Sequence, residues 1–362
     1  MTHVCDAHLM ESYQIVEDSK GDEIVNVLKE IAVPFEEQIL FCRFKNTMIP
    51  CGELLTETVT GDGICYTFNM QEASEMYEMK AVGYSKEDKY PSSWNIDNGY
   101  KNNKYNNYPH RANSGGSVGL NVVLKQKRSD LDYICRGPVQ GFKVHIHRND
   151  EPPAMSTDYF RVGMNEETII AIKTEVLNEI EDNECYDTND HDLEFFDQYS
   201  QSKCELECLA KFMKQECNCV KFSLPHDAET TVCNQHQLKC YNNAETKYLT
   251  EEAFKTNYQC GCLPCCNQIE YTAEVSQTEF DFKKVFSAYK QDVDEFPEAI
   301  MSRLVIYMKD THVREVREVA VNDKLSYYAQ LGGLMALFLG ISLVSVVEVI
   351  YYIARGRMLK FI

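Results

Sequence analysis

Eleven of the chain's sixteen cysteines fall between Cys185 and Cys266. No other feature restricts the fold as strongly. A segment cross-linked at that density folds as short pieces stapled together, and such staples persist in an oxidising compartment. The competing use of cysteine is zinc. CGCLPCC, at 260–266, contains a CxxC spacing of the kind that holds a tetrahedral metal in a reducing cytosol. The CxC pairs Cys217/Cys219 and Cys260/Cys262, with the adjacent Cys265 and Cys266, suit a framework of bridges better than one four-ligand site.

A second constraint lies near the C-terminus, in GLMALFLGISLVSVVEVIYY at 333–352. From Leu331 to Ile353 there is one charge, Glu348, in 23 residues. As a helix that run measures roughly 35 Å, enough to cross a bilayer. Arg355, Arg357 and Lys360 follow, with no acid in the last nine residues, so the positive-inside rule places this end in the cytoplasm. The opening stretch, MTHVCDAHLMESYQIVEDSKGDEIV, holds no apolar run and reads neither as a signal peptide nor as a span. Taken literally, these two ends put the cysteines in the cytosol. Either they are metal ligands, or a membrane segment ahead of Met1 carries them outside.

Charge narrows the partners. A net charge of −20 argues against nucleic acid, which needs clustered Lys and Arg. An acidic surface concentrates cations, although solubility alone accounts for most such charges. At 362 residues and 44% hydrophobic, the chain can bury a core and form two or three domains, or one large elaborated one. It contains no N-x-[ST] sequon and no internal repeat. Residues 84–118, rich in Asn, Tyr, Ser and Gly without a period, read as an exposed loop that includes the only tryptophan, Trp94. GLNVVLKQ (119–126), GFKVHIHR (141–148) and TIIAIKTEVL (168–177) read as strands. FKKVFSAY (282–289) and FPEAIMSR (296–303) look helical or connecting, and 302–321 alternates enough for strands returning towards the membrane.

Four stretches then converge. GDGICYTFN (61–69) carries CYTFN after a glycine, and GFKVHIHRNDEPP (141–153) ends in D-E-P-P. The cysteine block reads C-x3-C-x8-C-x-C from Cys204 to Cys219, and G-G-x6-G-x-S-x5-E runs from Gly332 to Glu348. In this order and at these spacings they closely resemble the degenerin/epithelial sodium channel family, and within it the insect pickpocket-type subunits. The resemblance covers about residues 36–357.

The resemblance implies an α+β membrane protein with a disulfide-rich extracellular domain, made of a β-sheet palm, a finger and a helical thumb, plus one C-terminal transmembrane helix. On that template residues 1–182 are finger and palm/β-ball, 183–285 the cysteine-rich thumb, 286–326 palm strands returning to the membrane, 327–353 the pore-lining helix and 354–362 a short cytoplasmic tail. The family's cytoplasmic N-terminus, first transmembrane helix and first palm strand have no counterpart here, which makes an upstream membrane segment the expected answer to the topology conflict. By family pattern the thumb bridges are Cys185–Cys266, Cys204–Cys262, Cys208–Cys260, Cys217–Cys240 and Cys219–Cys233, with Cys42–Cys51 in the finger. Cys265 is left over. Cys65 is orphaned, or paired with Cys5 or Cys135.

Gly340, Ile341 and Ser342 match the family's G-x-S selectivity filter, where the helix is interrupted and extended backbone lines water. On spacing alone, small residues that pack helices together explain the same pattern. Ala329 matches the position where degenerin mutations act, with Gly332 and Gly333 just inside it; otherwise Ala329 is merely a good helix former. Glu348 matches an acid below the filter, or it snorkels to the interface. The family's acid-sensing members place a Trp just before the first thumb cysteine, where this chain has EIEDNEC. His145 and His147 share a strand face and serve either as a pH sensor or as structural hydrogen-bond partners.

The function implied is a subunit of a non-voltage-gated, amiloride-sensitive, sodium-selective cation channel, gated by a mechanical, chemical or ligand stimulus. It would sit in the plasma membrane with most of the chain outside, in a homo- or hetero-trimer surrounded by lipid. It is not an enzyme and needs no metal or cofactor beyond the permeating Na⁺. The rival readings are a single-pass, cysteine-rich extracellular receptor or adhesion protein without conductance, and a tail-anchored cytosolic metal-binding protein. Thiols decide between the compartments. The purified chain, denatured without reductant, should show few reactive thiols and no stoichiometric zinc; abundant thiols with bound zinc would reverse the topology.

Overall fold

The computed structural model describes residues 2–5, 21–81, 94–95, 99–100, 109–111, 114–155, 158–178, 185–188, 191–250, 260–289, 298–317, 324–340 and 342–358. The chain divides into two units, Met1–Val316 and Arg317–Ile362. The strands are β1 (Ile39–Phe44), β2 (Thr47–Ile49), β3 (Leu55–Thr60), β4 (Gly63–Phe68), β5 (Trp94–Asn95), β6 (Gly99–Tyr100) and β7 (Leu120–Lys127). They continue with β8 (Phe142–Val144), β9 (Phe160–Val162), β10 (Glu166–Asn178), β11 (Asn267–Glu279), β12 (Ala299–Met308) and β13 (Arg314–Arg317). The α-helices are α1 (Ile24–Ile31), α2 (Phe35–Gln38), α3 (Cys51–Leu54), α4 (Ala73–Met76) and α5 (Gln201–Cys217). After them come α6 (Leu238–Leu249), α7 (Phe282–Ala288), α8 (Lys324–Leu339) and α9 (Leu343–Met358).

A seven-stranded sheet organises the first unit, in the order β11-β10-β12-β7-β1-β2, with β13 also paired to β10. Its central strands carry nearly continuous apolar runs, as strands buried on both faces do. Val122 and Leu124 of β7 join Ile170, Ile172, Leu304, Cys42 and Phe44 on one face. The hairpins β3–β4 and β8–β9 cover that face through Leu55, Phe68, Phe142 and Val162. Val123, the residue between, points the other way and packs with Met301 and with Phe282 of α7. Burying one side chain such as Ile170, fully enclosed here, stabilises by about 1.5–3 kcal/mol. The alternation of β7 therefore fixes its register, because a one-residue slip would exchange its two faces.

The cysteine-rich block forms a helical hairpin. Ser200 starts α5 by accepting the Lys203 N–H at 3.3 Å, and Asn218 ends it in the left-handed region at φ +55°. Leu209, Phe212, Met213 and Cys217 recur at helical spacing and meet Leu238, Tyr241 and Ala244 of α6.

The structure corrects three expectations. The strand over 141–148 stops at Val144. Beyond it, the His145 Nδ1 accepts the Ala154 N–H at 3.2 Å, and the chain enters a turn at Asn149–Asp150. The described part of FPEAIMSR, from Glu298, leads into β12 rather than a helix. A short apolar run is ambiguous by period, and here the pairing of Ala299–Met301 with β7 decides it, β10 joining only from Arg303 onward. Within 84–118, Trp94 pairs with Tyr100 in the small β5–β6 hairpin, so part of that stretch is not loop. Residues 82–93, 96–98, 101–108 and 112–113 lie outside the described residues.

Candidate functional site

Residues 327–353 were expected as one pore-lining helix interrupted at Gly340–Ser342; the structure makes two helices bent at that break. Helices α8 and α9 have 16 residues each, about 24 Å, which is short of a hydrocarbon core of about 30 Å. No single helix among the described residues is long and apolar enough to cross a membrane. The pair Ser326–Leu339 and Val344–Gly356 meets the length and composition test together, bent by 82° at the break. The cause is local. Gly340 takes φ +62°, a left-handed conformation open to glycine and costly for other residues. Its N–H donates to the Ala336 carbonyl at 3.0 Å and closes α8. Ser342 then caps α9, with its Oγ accepting the Ser345 N–H at 3.2 Å. Ile341 lies outside the described residues.

Ala329, Gly333, Ala336 and Gly340 follow one another at helical spacings of four, three and four, which places them on one face of α8. Gly332 lies beside that face, and a Cβ added at Gly332, Gly333 or Gly340 would meet nothing within 4 Å. Most of the remaining described surface is apolar: Leu337 is 78% exposed and Phe338 77%, and Val344, Val347, Val349 and Ile350 are exposed as well, with Gln330 and Ser345 among the few polar residues. So large an exposed apolar surface needs an apolar surrounding, either lipid or other chains. Glu348, on α9, is exposed among these residues.

In the first unit the structure closes Cys185–Cys266, Cys204–Cys262, Cys208–Cys260, Cys217–Cys240 and Cys219–Cys233, together with Cys42–Cys51. These are the pairs implied by the resemblance. A seventh bridge joins Cys5 to Cys135, which spacing alone does not reveal. Cys65 and Cys265 are free thiols. Cys65 sits 3.2 Å from the Thr60 hydroxyl, Cys265 is buried beside Tyr199 and Cys204, and burial pushes both thiols up. Such thiols are poor nucleophiles.

Sequence reasoning missed a buried charge cluster at D-E-P-P. Arg148 grips Asp150 through Nε–Oδ1 at 3.0 Å and NH2–Oδ2 at 2.5 Å, and reaches Glu151 at 3.5 Å. Burial pushes the Asp150 carboxyl up, but the guanidinium outweighs it and holds the group below the usual carboxylate range. Lys203 of α5, 1% exposed, donates to the Gln198 carbonyl at 3.1 Å. Burial lowers its pKa against the pull of Asp150. The available signal was an arginine two residues before the acid; nothing in the sequence marks Lys203 as buried.

The two histidines do come together, their rings stacked at 5.4 Å. His145 accepts at Nδ1 from Ala154, and the His147 Nδ1 lies 2.7 Å from the Arg148 carbonyl, to which it must donate. Burial, then the neighbouring His147, pushes His145 down to about 4, and burial lowers His147 too. Both are held neutral.

A family model described as "Amiloride-sensitive sodium channel" matches residues 4–352. Pickpocket protein 28 of Drosophila melanogaster is 28% identical over 354 residues, covering 90% of this chain and 57% of that protein. Sodium channel protein Nach of Drosophila ananassae is 24% identical over 364 residues, 96% of this chain and 61% of that protein. Acid-sensing ion channel 2 of Rattus norvegicus is 24% identical over 345 residues, 92% and 60% respectively. The chain thus spans about three fifths of the length of these curated relatives.

The histidine pair sets a pH dependence. With the folded pKa of His145 near 4 and its ordinary value 6.5, the unfolded chain binds more protons between them. Stability is therefore whole above about pH 6.5 and falls as pH drops towards 4. Denaturation midpoints measured across that range should decline, and His145→Gln should flatten the slope. An unchanged slope would show that the ring titrates alike in both states.

Proposed function

The chain belongs to the amiloride-sensitive sodium channel family, and on that premise we propose that it is a subunit of a sodium-selective, amiloride-sensitive cation channel that opens without a voltage sensor. The observation that carries this reading is the backbone break at Gly340 between two short helices with largely apolar exposed surfaces. Irregular backbone at membrane depth is tolerated only where it is buried in protein or lines water. A pore surrounded by several copies of this segment is such a place. Gly340, Ile341 and Ser342 form the narrowest part, where backbone carbonyls and the Ser342 hydroxyl replace part of a small cation's water shell. Ala329, Gly332 and Gly333 let the copies approach at the outer mouth. Glu348 faces the permeation path on the cytoplasmic side, where water and cations offset the cost of its charge.

The assembly is a trimer, of this subunit alone or with others, in the plasma membrane. Residues 1–182, 183–285 and 286–326 form the extracellular finger and palm, the thumb, and the strands leading back to the bilayer. Residues 327–353 line the pore and 354–362 lie in the cytoplasm. The bridged α5–α6 hairpin is the thumb. Its cross-links make it stiff enough to transmit motion, and the buried Arg148–Asp150 pair with Lys203 gives it a firm seat.

Two substitutions test this reading in cells expressing the full gene product. Ser342→Val should change the Na⁺/K⁺ permeability ratio or abolish current while surface delivery persists; normal selectivity at normal current would leave Ser342 a packing residue. Ala329→Val should raise resting current at equal surface expression. Added volume penalises a closed state with close helix approach more than an open one, and each ~1.4 kcal/mol of bias shifts the ratio of states about tenfold. No rise with Val or with the larger Phe would remove Ala329 from the gate.

A further inference from the structure

One disulfide opens onto a cavity. A space of about 380 Å³ beside α5 is lined by Cys204, Glu207, Cys208 and Lys211, which share one face of that helix, together with Cys260 and the segment 191–194. Both halves of Cys208–Cys260 lie in that lining, whereas Cys204 reaches it without its partner Cys262, and among the described residues no other bridge contributes to it. Within the pair, Cys208 is 3% exposed and Cys260 is partly exposed. An attacking group therefore meets Cys260 first.

The charged part of the lining has a definite sign. Glu207 is held by the N–H groups of Glu194 and Phe195, which donate at 3.0 and 2.6 Å. The Lys211 ammonium stands 3.1 Å from Glu194 and 3.8 Å from Glu207. Asp192, Glu194 and Glu207 thus share the lining with one ammonium and the His191 ring, and a concave site with more carboxylates than cations concentrates cations and repels anions.

We propose that Cys208–Cys260 is a thiol-exchange site, entered through this cavity by small thiols that carry a positive charge. The thiolate of such a molecule attacks the Cys260 sulfur. A new S–S bond forms to Cys260, the Cys208–Cys260 bond breaks, and the electron pair leaves on Cys208 as a thiolate. Lys211, one turn further along α5, supplies the nearby positive charge for that thiolate. A second thiol of the same kind then attacks the mixed disulfide, releases the oxidised reagent as a symmetrical disulfide and leaves Cys260 as a thiol. Exchange here detaches α5 in its middle while Cys204–Cys262 and Cys217–Cys240 still hold it on either side. The chemistry belongs to the first unit and stands apart from any conductance of the second.

The test uses the folded full chain in detergent, exposed to cysteamine or to mercaptoethanesulfonate at equal thiolate concentration. Differential alkylation and mass mapping follow each bridge with time. Cys208 and Cys260 should become alkylatable before any other pair. Cysteamine should act about tenfold faster than the sulfonate at low salt, and the gap should close in roughly 1 M salt. The double substitution Asp192→Asn with Glu194→Gln should narrow the gap and leave the rates of the other bridges unchanged. Earlier opening of Cys185–Cys266 or Cys5–Cys135 by both reagents would overturn the site. Equal rates for the two thiols would overturn its charge selection.

Discussion

Helix α5 is tied to other parts of the chain at Cys204, Cys208 and Cys217, and each tie falls at a different height along its length. A 17-residue helix held at several heights has little freedom to tilt, slide or rotate. Each bridge could stabilise by about 2–4 kcal/mol through the unfolded chain, but the geometric consequence matters more. The face carrying Leu209, Phe212 and Met213 is held against α6, and Lys203 and Glu207 are fixed in buried positions. Buried charges persist only where partners are held in place. The cross-links thus allow the polar seating of the helix, as well as its apolar packing.

That seating explains why D-E-P-P follows a strand that ends early. The backbone turns at Asn149–Asp150 and brings the Asp150 carboxylate back onto Arg148 within two residues, a bidentate pair that needs no distant partner to form. The two prolines that follow cannot donate to a sheet ladder, which favours a departure from β-pairing at this point. Lys203 enters the same neighbourhood from α5, so local chemistry on one segment and tertiary packing from another finish a single cluster.

Much of this was legible in the residues. Alternation in GLNVVLKQ gave β7 within one residue, and TIIAIKTEVL gave β10 with short extensions at both ends. Both strands bury side chains in a regular pattern, and a pattern of burial is what sequence records. FPEAIMSR failed because Ala299, Ile300 and Met301 fit either period, and only their pairing with β7 selects the strand. The Cys5–Cys135 bridge failed for another reason: a pairing separated by 130 residues depends on the finished fold, and spacing says nothing of it. The helix break was visible as Gly340 and Ser342, yet the same two residues also suit an unbroken packing face. The backbone angle, not the residue types, separates those outcomes.

The break has its own electrostatics. Apart from the Ala336 carbonyl, which the Gly340 N–H takes, the last carbonyls of α8 lack partners within the helix, so α8 brings a partial negative charge to Gly340. The start of α9 brings unsatisfied N–H groups and a partial positive charge to nearly the same place. For a cation passing on the proposed route, the first is attractive and the second opposes it. Ser342 resolves the conflict: its Oγ takes the Ser345 N–H, its carbonyl takes the Val346 N–H, and its hydroxyl also lies 3.2 Å from that of Ser345. One side chain quiets the donor end while the acceptor end of α8 remains available. A glycine followed two residues later by a serine thus breaks the helix, leaves carbonyls of α8 available and satisfies the Ser345 amide of α9. Alanine at 342 would keep the bend set by Gly340 but leave an amide competing with the cation.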